Sequence, residues 1–309
     1  MLSIVIPVYQ AEHSIKKLVK KIMEVFSNKN FEIILVNDCS PDNSHKECLE
    51  AYNENSHILT YIKLAKNMGE HNAVMAGLNY TKGDWAIIMD DDFQNPPEEA
   101  LKLFNFAEKN TFDIVYGNYK KNKKHNLFRN IISSINDKTA NWILGKPKNI
   151  YLSSFKCIKK KLIDHIVKYK GPYPYIDGLI LSNTSNIGSI DTEHSTRESG
   201  NSGYTPLKLL KLYGNLFTNF STIPIHFFSI SGIFLTLIGF AFGIFIIIEK
   251  IINPQIPAGY SSILSVILFF SGIQLIFLGL IGEYIGKILK NVNKENQFFI
   301  DVIKEKDKK

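Results

Sequence analysis

Arginine is almost missing from this 309-residue chain: of 36 basic residues only Arg129 and Arg197 are arginines. A guanidinium grips phosphate through two parallel hydrogen bonds where lysine offers a point charge, so these two are candidate phosphate ligands. Cysteine is scarce as well. Cys39, Cys48 and Cys157 lack metal-ligand spacing, which excludes a zinc ribbon or a disulfide scaffold and leaves free thiols. Glycine is missing where a dinucleotide fold requires it, since the turn after the first apolar run reads "IPVYQAEHS" (6–14) rather than G-x-G-x-x-G. No Walker A sequence occurs, and no nucleic-acid motif accompanies the net charge of +7. No cleavable signal peptide is expected, because an apolar strand pattern begins at Leu2.

Charge is absent from two long stretches. No Asp, Glu, Lys or Arg occurs from residue 225 to 248 or from 255 to 282. Each run exceeds the roughly 20 residues that cross a bilayer as a helix, and the short connection between them predicts a transmembrane hairpin. Lys208 and Lys211 precede the first run, Lys250 alone lies between, and Lys287, Lys290, Lys294, Lys304, Lys306, Lys308 and Lys309 follow. The positive-inside rule then predicts both termini in the cytoplasm. The lysines suit anionic headgroups better than nucleic acid.

The first two hundred residues alternate apolar and amphipathic segments. Strands are expected at 2–8, 31–37, 58–64, 85–90 and 113–118, and Ile15, Leu18, Val19, Ile22 and Phe26 recur at helical spacing. Such alternation predicts an α/β fold with a mostly parallel sheet, whose ligands bind beyond the carboxyl ends of the strands. Asp38 and the run Asp90-Asp91-Asp92 fall at those ends. In the second half, Thr205-Pro206 opens a helix that ends near Pro224. Lys208, Lys211, Asn215, Thr218 and Thr222 form one polar stripe on it, which fits a helix in the membrane interface or one packed on the preceding domain. The segment "QFFIDVI" (297–303) reads as a strand that pairs with the first domain or with a neighbouring subunit.

"IIMDDDFQNPP" (87–97) places three carboxylates at the end of a buried strand. If the backbone stays extended, Asp90 and Asp92 share a face, Gln94 follows at the same period, and Asp91 points away to solvent. Two carboxylates suit Mg²⁺, which fills its octahedron with substrate phosphates. A D-x-D alone is a weak motif, better explained by a solvated acidic turn before a Pro-Pro helix start.

The segments "IVIPVY" (4–9), "EIILVNDCSPDNS" (32–44), "NMGEHNAVMAGLNYTKGDWAIIMDDDFQNPPEE" (67–99), "RESGNSGYTPLKLL" (197–210) and "GLIGEYIGKI" (279–288) resemble the family-2 glycosyltransferases of GT-A fold. More narrowly they resemble the bacterial polyprenyl-phosphate glycosyltransferases. The resemblance implies a cytoplasmic GT-A nucleotide-sugar domain over 1–204, an interfacial helix over 205–224 and membrane helices over 225–248 and 260–282. A short loop (249–259) joins them, and a basic cytoplasmic tail spans 283–309. It implies that Pro7, Tyr9 and Asp38 hold the nucleotide base, that Asn67 and Gly69 close over the nucleoside, and that Asp90, Asp92 and Gln94 hold Mg²⁺ or Mn²⁺ and the diphosphate. Asp90, Asp92, Arg197 and Arg129 are then the catalytic set, with Arg197 on a phosphate and Arg129 on the acceptor. The implied reaction is inverting transfer of a sugar from a nucleotide-diphosphate sugar to a polyprenyl phosphate for cell-envelope glycan. It would occur at the bacterial inner membrane in a multi-pass homo-oligomer, with no nucleic-acid partner. Departures from the pattern, among them Gln10-Ala11, Asn37, Ser154 and Gly203, leave the metal residues intact and bear on the sugar. Transfer to a lipid-linked oligosaccharide, or an inactive membrane scaffold, are the alternatives.

Overall fold

The computed structural model describes residues 1–119, 150–193, 223–252, 259–293 and 296–307. Residues Met1–Gly203 together with Lys294–Lys309 form one compact unit, and Tyr204–Asn293 form a second.

The first unit is built on an eight-stranded mixed sheet. Its strands are β1 (Leu2–Val8), β2 (Phe31–Asn37), β3 (Leu59–Leu64), β4 (Trp85–Ile88), β5 (Ile114–Tyr119), β6 (Lys156–Lys159), β7 (Ile187–Thr192) and β8 (Ile300–Lys304), in the spatial order β7-β5-β6-β4-β1-β2-β3-β8. β4, β1, β2 and β3 run parallel, while β6 and β8 are antiparallel to their neighbours. β1 and β2 are buried at all seven positions, as expected of central strands covered on both faces. Helices α1 (Ile15–Val25), α2 (Ser44–Glu54), α3 (Glu70–Leu78), α4 (Pro97–Lys109), α5 (Lys160–Ile166) and α6 (Ile176–Asn183) complete the unit.

The stripe on α1 falls as its periodicity requires: Ile15, Leu18, Val19 and Ile22 are buried, and Phe26 caps the same core. α3 is different. Every residue from Asn72 to Leu78 is buried, and a Cβ on Gly77 would meet Val5 Cγ1 at 2.5 Å and Val36 Cγ2 at 3.1 Å. Glycine there lets the helix lie close against β1 and β2, which carries its N-terminus to the carboxyl ends of those strands.

From β1 the chain winds outward through β2 and β3, then returns to place β4 on the other side of β1. The carboxyl ends of β1 and β4 therefore flank a topological switch point, where open α/β sheets bind ligands.

Within the segment expected as a basic tail, residues from Lys294 onward belong to the first unit, where β8 pairs antiparallel to β3. Lys63 Nζ meets Asp301 at 2.7 Å, Tyr52 Oη donates to the Glu305 carbonyl at 2.9 Å, and the Ala65 N–H reaches the Phe299 carbonyl at 2.9 Å. Lys306 Nζ lies 3.3 Å from Glu32, which is 1% exposed and also accepts from Ser3 Oγ and the Lys82 N–H.

The second unit contains α7 (Ile223–Ile252), 30 residues long, and α8 (Tyr260–Val292), 33 residues long. Among the described residues no helix is long and apolar enough to cross a membrane. The complete sequences of both helices contain the uncharged runs noted above. Large apolar side chains such as Ile230, Phe234, Leu237, Phe240, Phe270 and Leu275 are exposed along them. Of the expected interfacial helix over 205–224, residues 205–222 lie outside the described residues, and Ile223 and Pro224 open α7.

Ending the chain at Asn296 should lower the thermal midpoint of the first unit, because β3 becomes a bare edge. Lys306→Met alone should remove part of the roughly 3–5 kcal/mol that breaking a fully buried pair costs, since Lys306 keeps some solvent contact. Thermal unfolding of both variants checks this.

Candidate active site

Four loops meet at the carboxyl ends of β1, β2, β3 and β4, and each contains one residue in the left-handed region. These are Gln10 (φ 57°), Cys39 (φ 52°), Gly69 (φ 89°) and Phe93 (φ 60°). Among the described residues no other φ of this kind occurs. For non-glycine residues the conformation costs on the order of 1–3 kcal/mol and persists where surrounding structure imposes it. Glycine at 69 has open space around it, so its role is conformational.

What imposes the turn after β1 is a series of side-chain acceptors. The Tyr9 N–H donates to Asp91 Oδ2 at 2.9 Å, Gln10 N–H to Ser40 Oγ at 2.9 Å, Ala11 N–H to Ser44 Oγ at 2.8 Å and Glu12 N–H to Asp42 Oδ2 at 3.3 Å. In return the Asn43 N–H reaches Glu12 Oε2 at 2.9 Å. Four consecutive amides that a glycine-rich loop would aim at phosphate are here committed to protein oxygens. This accounts physically for the missing glycines.

Asp38 is buried and fastens the next loop, accepting the N–H groups of Met68 at 2.7 Å and Gly69 at 2.8 Å. Burial raises its pKa, and these two hydrogen bonds oppose the rise. Asn67 lies exposed in that loop, Tyr9 is 45% exposed at the mouth, and Pro7 is buried within β1 opposite Val36. The residues expected to hold the base therefore lie on β1 and in the loops that follow β1, β2 and β3, with Asp38 holding the 68–69 backbone in place.

The acidic run departs from the expected extended geometry. β4 ends at Ile88, and the left-handed Phe93 breaks the period of two before Gln94. Asp90 Oδ2 accepts Ser154 Oγ at 2.8 Å and Asn95 Nδ2 at 3.5 Å, while Asp92 Oδ1 accepts the Gln94 N–H at 3.1 Å. Asp91, expected to face only solvent, instead holds the Tyr9 amide.

Several residues at the site were not expected from the sequence. Lys156 and Asp177 form a buried ion pair, Tyr116 Oη donates to Asp177 Oδ1 at 2.8 Å, and Lys156 Nζ sits 5.2 Å from the Tyr116 ring centre. Loss of solvent around its carboxyl, then the field of Asp90, with Asp177 and Asp92 adding and Lys156 opposing, pushes Glu70 up to about 7. Burial drops His71 to about 4, leaving a neutral ring edge-on to Tyr175 at 5.1 Å. The signal available was a lysine inside the strand "FKCI" and an aspartate inside the helix "YIDGLI" (175–180), each a charge in an apolar run. Arg129 and Arg197 lie outside the described residues.

Among the described residues no group of three or more His, Cys, Asp or Glu is arranged to hold a metal ion. Two carboxylates and an amide are hard oxygen donors that fit a divalent cation completing its shell with phosphate oxygens. The three cysteines are free, and Cys48 and Cys157 are buried.

Comparison with known proteins agrees with this architecture. The family description "Glycosyl transferase family 2" matches residues 3–167, and "GtrB C-terminal hairpin" matches residues 223–288. The chain is 33% identical over 308 residues to undecaprenyl-phosphate 4-deoxy-4-formamido-L-arabinose transferase of Proteus mirabilis, covering 97% of this chain and 93% of that protein. The enzyme of the same name from Klebsiella pneumoniae is 33% identical over 305 residues, covering 96% and 92%. Among solved structures, a mycobacterial protein superposes with a TM-score of 0.56 at 12% identity, covering 71% of this chain and 74% of that one. Glucosyl-3-phosphoglycerate synthase from Mycobacterium tuberculosis, bound to Mn²⁺, uridine diphosphate and phosphoglyceric acid, superposes with a TM-score of 0.54 at 13% identity, covering 71% and 76%. These two likenesses concern the fold. The chain belongs to glycosyl transferase family 2, has a GtrB-type C-terminal hairpin, and is a glycosyltransferase.

Proposed function

We propose that the protein transfers a sugar from a nucleotide-diphosphate sugar to a polyprenyl phosphate, with inversion at the anomeric carbon. The observation that supports this most is the placement of Asp90 and Asp92 at the β1–β4 switch point, beside the crevice of Tyr9, Asp38, Asn67 and Gly69. Likeness over nearly the whole chain to undecaprenyl-phosphate sugar transferases, hairpin included, supports the lipid acceptor.

In this reading the nucleoside lies against Tyr9 and Asp38 under the 67–69 loop, and the diphosphate faces Asp90, Asp92 and Gln94. Those three residues would hold Mg²⁺ or Mn²⁺, whose chemistry is to offset charge on the departing diphosphate. Ser154 orients Asp90 through its hydroxyl. Arg197 contacts a phosphate and Arg129 the acceptor, roles that rest on their sequence positions. A phosphate oxygen of the lipid forms a bond to the anomeric carbon. The bond to the nucleoside diphosphate breaks, and the leaving group takes the electron pair. The nucleophile is already anionic near neutral pH, so positioning and electrostatics do most of the catalysis.

At about 1.5 Å per residue, α7 is about 45 Å long and α8 about 50 Å, more than the roughly 30 Å of a bilayer core. If the pair crosses as a hairpin, the sharing of one sheet by β1 and β8 supports placing both ends of the chain on one face. Lysine distribution makes that face the cytoplasmic side of the inner membrane.

Asp92→Asn should lower turnover by on the order of 100-fold or more, the effect of removing one preorganised electrostatic contact. Full activity in that variant would sink the assigned role. Chelation with EDTA should abolish transfer, and added Mg²⁺ or Mn²⁺ should restore it. Mass spectrometry of the lipid product, after incubation with short-chain polyprenyl phosphate and a panel of nucleotide sugars, should show one phosphate-linked sugar. A product in which the sugar is attached elsewhere would overturn the acceptor.

A further inference from the structure

We infer that Asp91, the middle acid of the run, is a positioning residue that sets the spacing between the nucleoside and diphosphate halves of the donor crevice. The inference rests on the donor reading above. The β1–β4 ladder ends at Val5 opposite Ile88, and its last backbone contact is the Met89 N–H on the Val5 carbonyl at 3.2 Å. β1 continues to Val8, still paired with β2, so beyond Met89 its β4 side has left the ladder. There the Asp91 carboxylate accepts the Tyr9 N–H at 2.9 Å and closes the seam. Tyr9 stands immediately before the left-handed Gln10, and Asp91 stands between Asp90 and Asp92. One side chain thus links the turn that presents Tyr9 to the loop that presents both outer aspartates.

The other amides of the turn answer to a different partner. Gln10, Ala11 and Glu12 are held by Ser40, Ser44 and Asp42, all from the loop after β2 or the start of α2. Among these four amides, Asp91 alone ties the turn to the acidic loop. Its loss should let the two halves of the crevice drift apart while the turn stays fastened to the β2 side. A donor spanning both halves then binds more weakly, although the outer aspartates are intact.

The test uses full-length protein in detergent with Asp91→Ala and Asp91→Asn. Asparagine keeps a carbonyl oxygen that can accept the Tyr9 amide, and alanine does not. Hydrogen exchange of the segment containing Tyr9 should speed up in Asp91→Ala and stay near wild type in Asp91→Asn, with β2 protected in both. The Kd for the preferred nucleoside diphosphate, and the donor KM, should rise roughly five- to tenfold in Asp91→Ala, within the range of one typical net hydrogen bond. kcat at saturating donor should change far less, and Asp91→Asn should recover most of the affinity. Faster exchange with unchanged nucleotide affinity overturns the inference, as does an equal loss in both variants. If wild type binds no nucleoside diphosphate, the donor reading falls and this inference falls with it. If wild type binds one and Asp91→Ala binds it equally, only the role of Asp91 falls.

Discussion

Parallel strands deliver their carboxyl ends, and the loops that follow them, to one edge of a sheet, and a ligand crevice opens wherever the winding reverses. In this chain the reversal lies between β1 and β4. The two strands share only four register pairs before β4 stops. Past that point side chains do the joining: Asp91 to the Tyr9 amide, Ser40 and Ser44 to the amides that follow, and Asp38 to the 68–69 backbone. The rim is thus built by short acids and hydroxyls gripping backbone N–H groups. The bonds to Asp91 and Asp38 are charge-assisted and roughly twice as strong as neutral ones, while the amide of the left-handed Gln10 is held by the neutral Ser40 hydroxyl.

This solution has an electrostatic cost. Glu70, Asp90, Asp92 and Asp177 gather around the acidic loop, and their mutual field contributes to raising Glu70 toward neutrality. Lys156, buried on β6, is the counter-charge supplied there by the described part of the chain, and it is itself paired with Asp177 under the Tyr116 hydroxyl. A buried pair with both partners satisfied is tolerated, whereas either charge alone would be strongly destabilising. The cluster stays acid-rich, an environment that attracts a divalent cation and disfavours bare diphosphate. Cation and diphosphate arriving together satisfy both conditions.

Periodic features were legible before any coordinates. The runs at 2–8 and 31–37 coincide with β1 and β2, and the stripe from Ile15 to Phe26 coincides with the buried face of α1, because burial on a regular element imprints its period on the residues. The acidic run was legible as a place and not as a geometry. Nothing in the identity of Phe93 announces a φ of 60°, so the period of two extrapolated from Asp92 to Gln94 does not hold there. The Lys156–Asp177 pair was hidden for another reason. Its members come from a strand and a helix 21 residues apart, and a single charge in each apolar run gives no hint of its partner.

The strand character of "QFFIDVI" was visible as well, but its partner was not, since an edge strand's sequence records burial and not address. The return of β8 to β3 has a consequence for the crevice. The Ala65 N–H, one residue beyond β3, is held by the Phe299 carbonyl, and the Ala65 carbonyl accepts the Cys39 thiol at 3.7 Å. From Ala65 the chain enters the loop whose Met68 and Gly69 amides rest on Asp38. The Phe299 carbonyl therefore ties the last strand, by one backbone hydrogen bond, to the segment that leads into the 67–69 loop. The entrance of that loop is fixed by main chain from the far end of the sequence, a contact that does not depend on the side chains of Ala65 or Phe299.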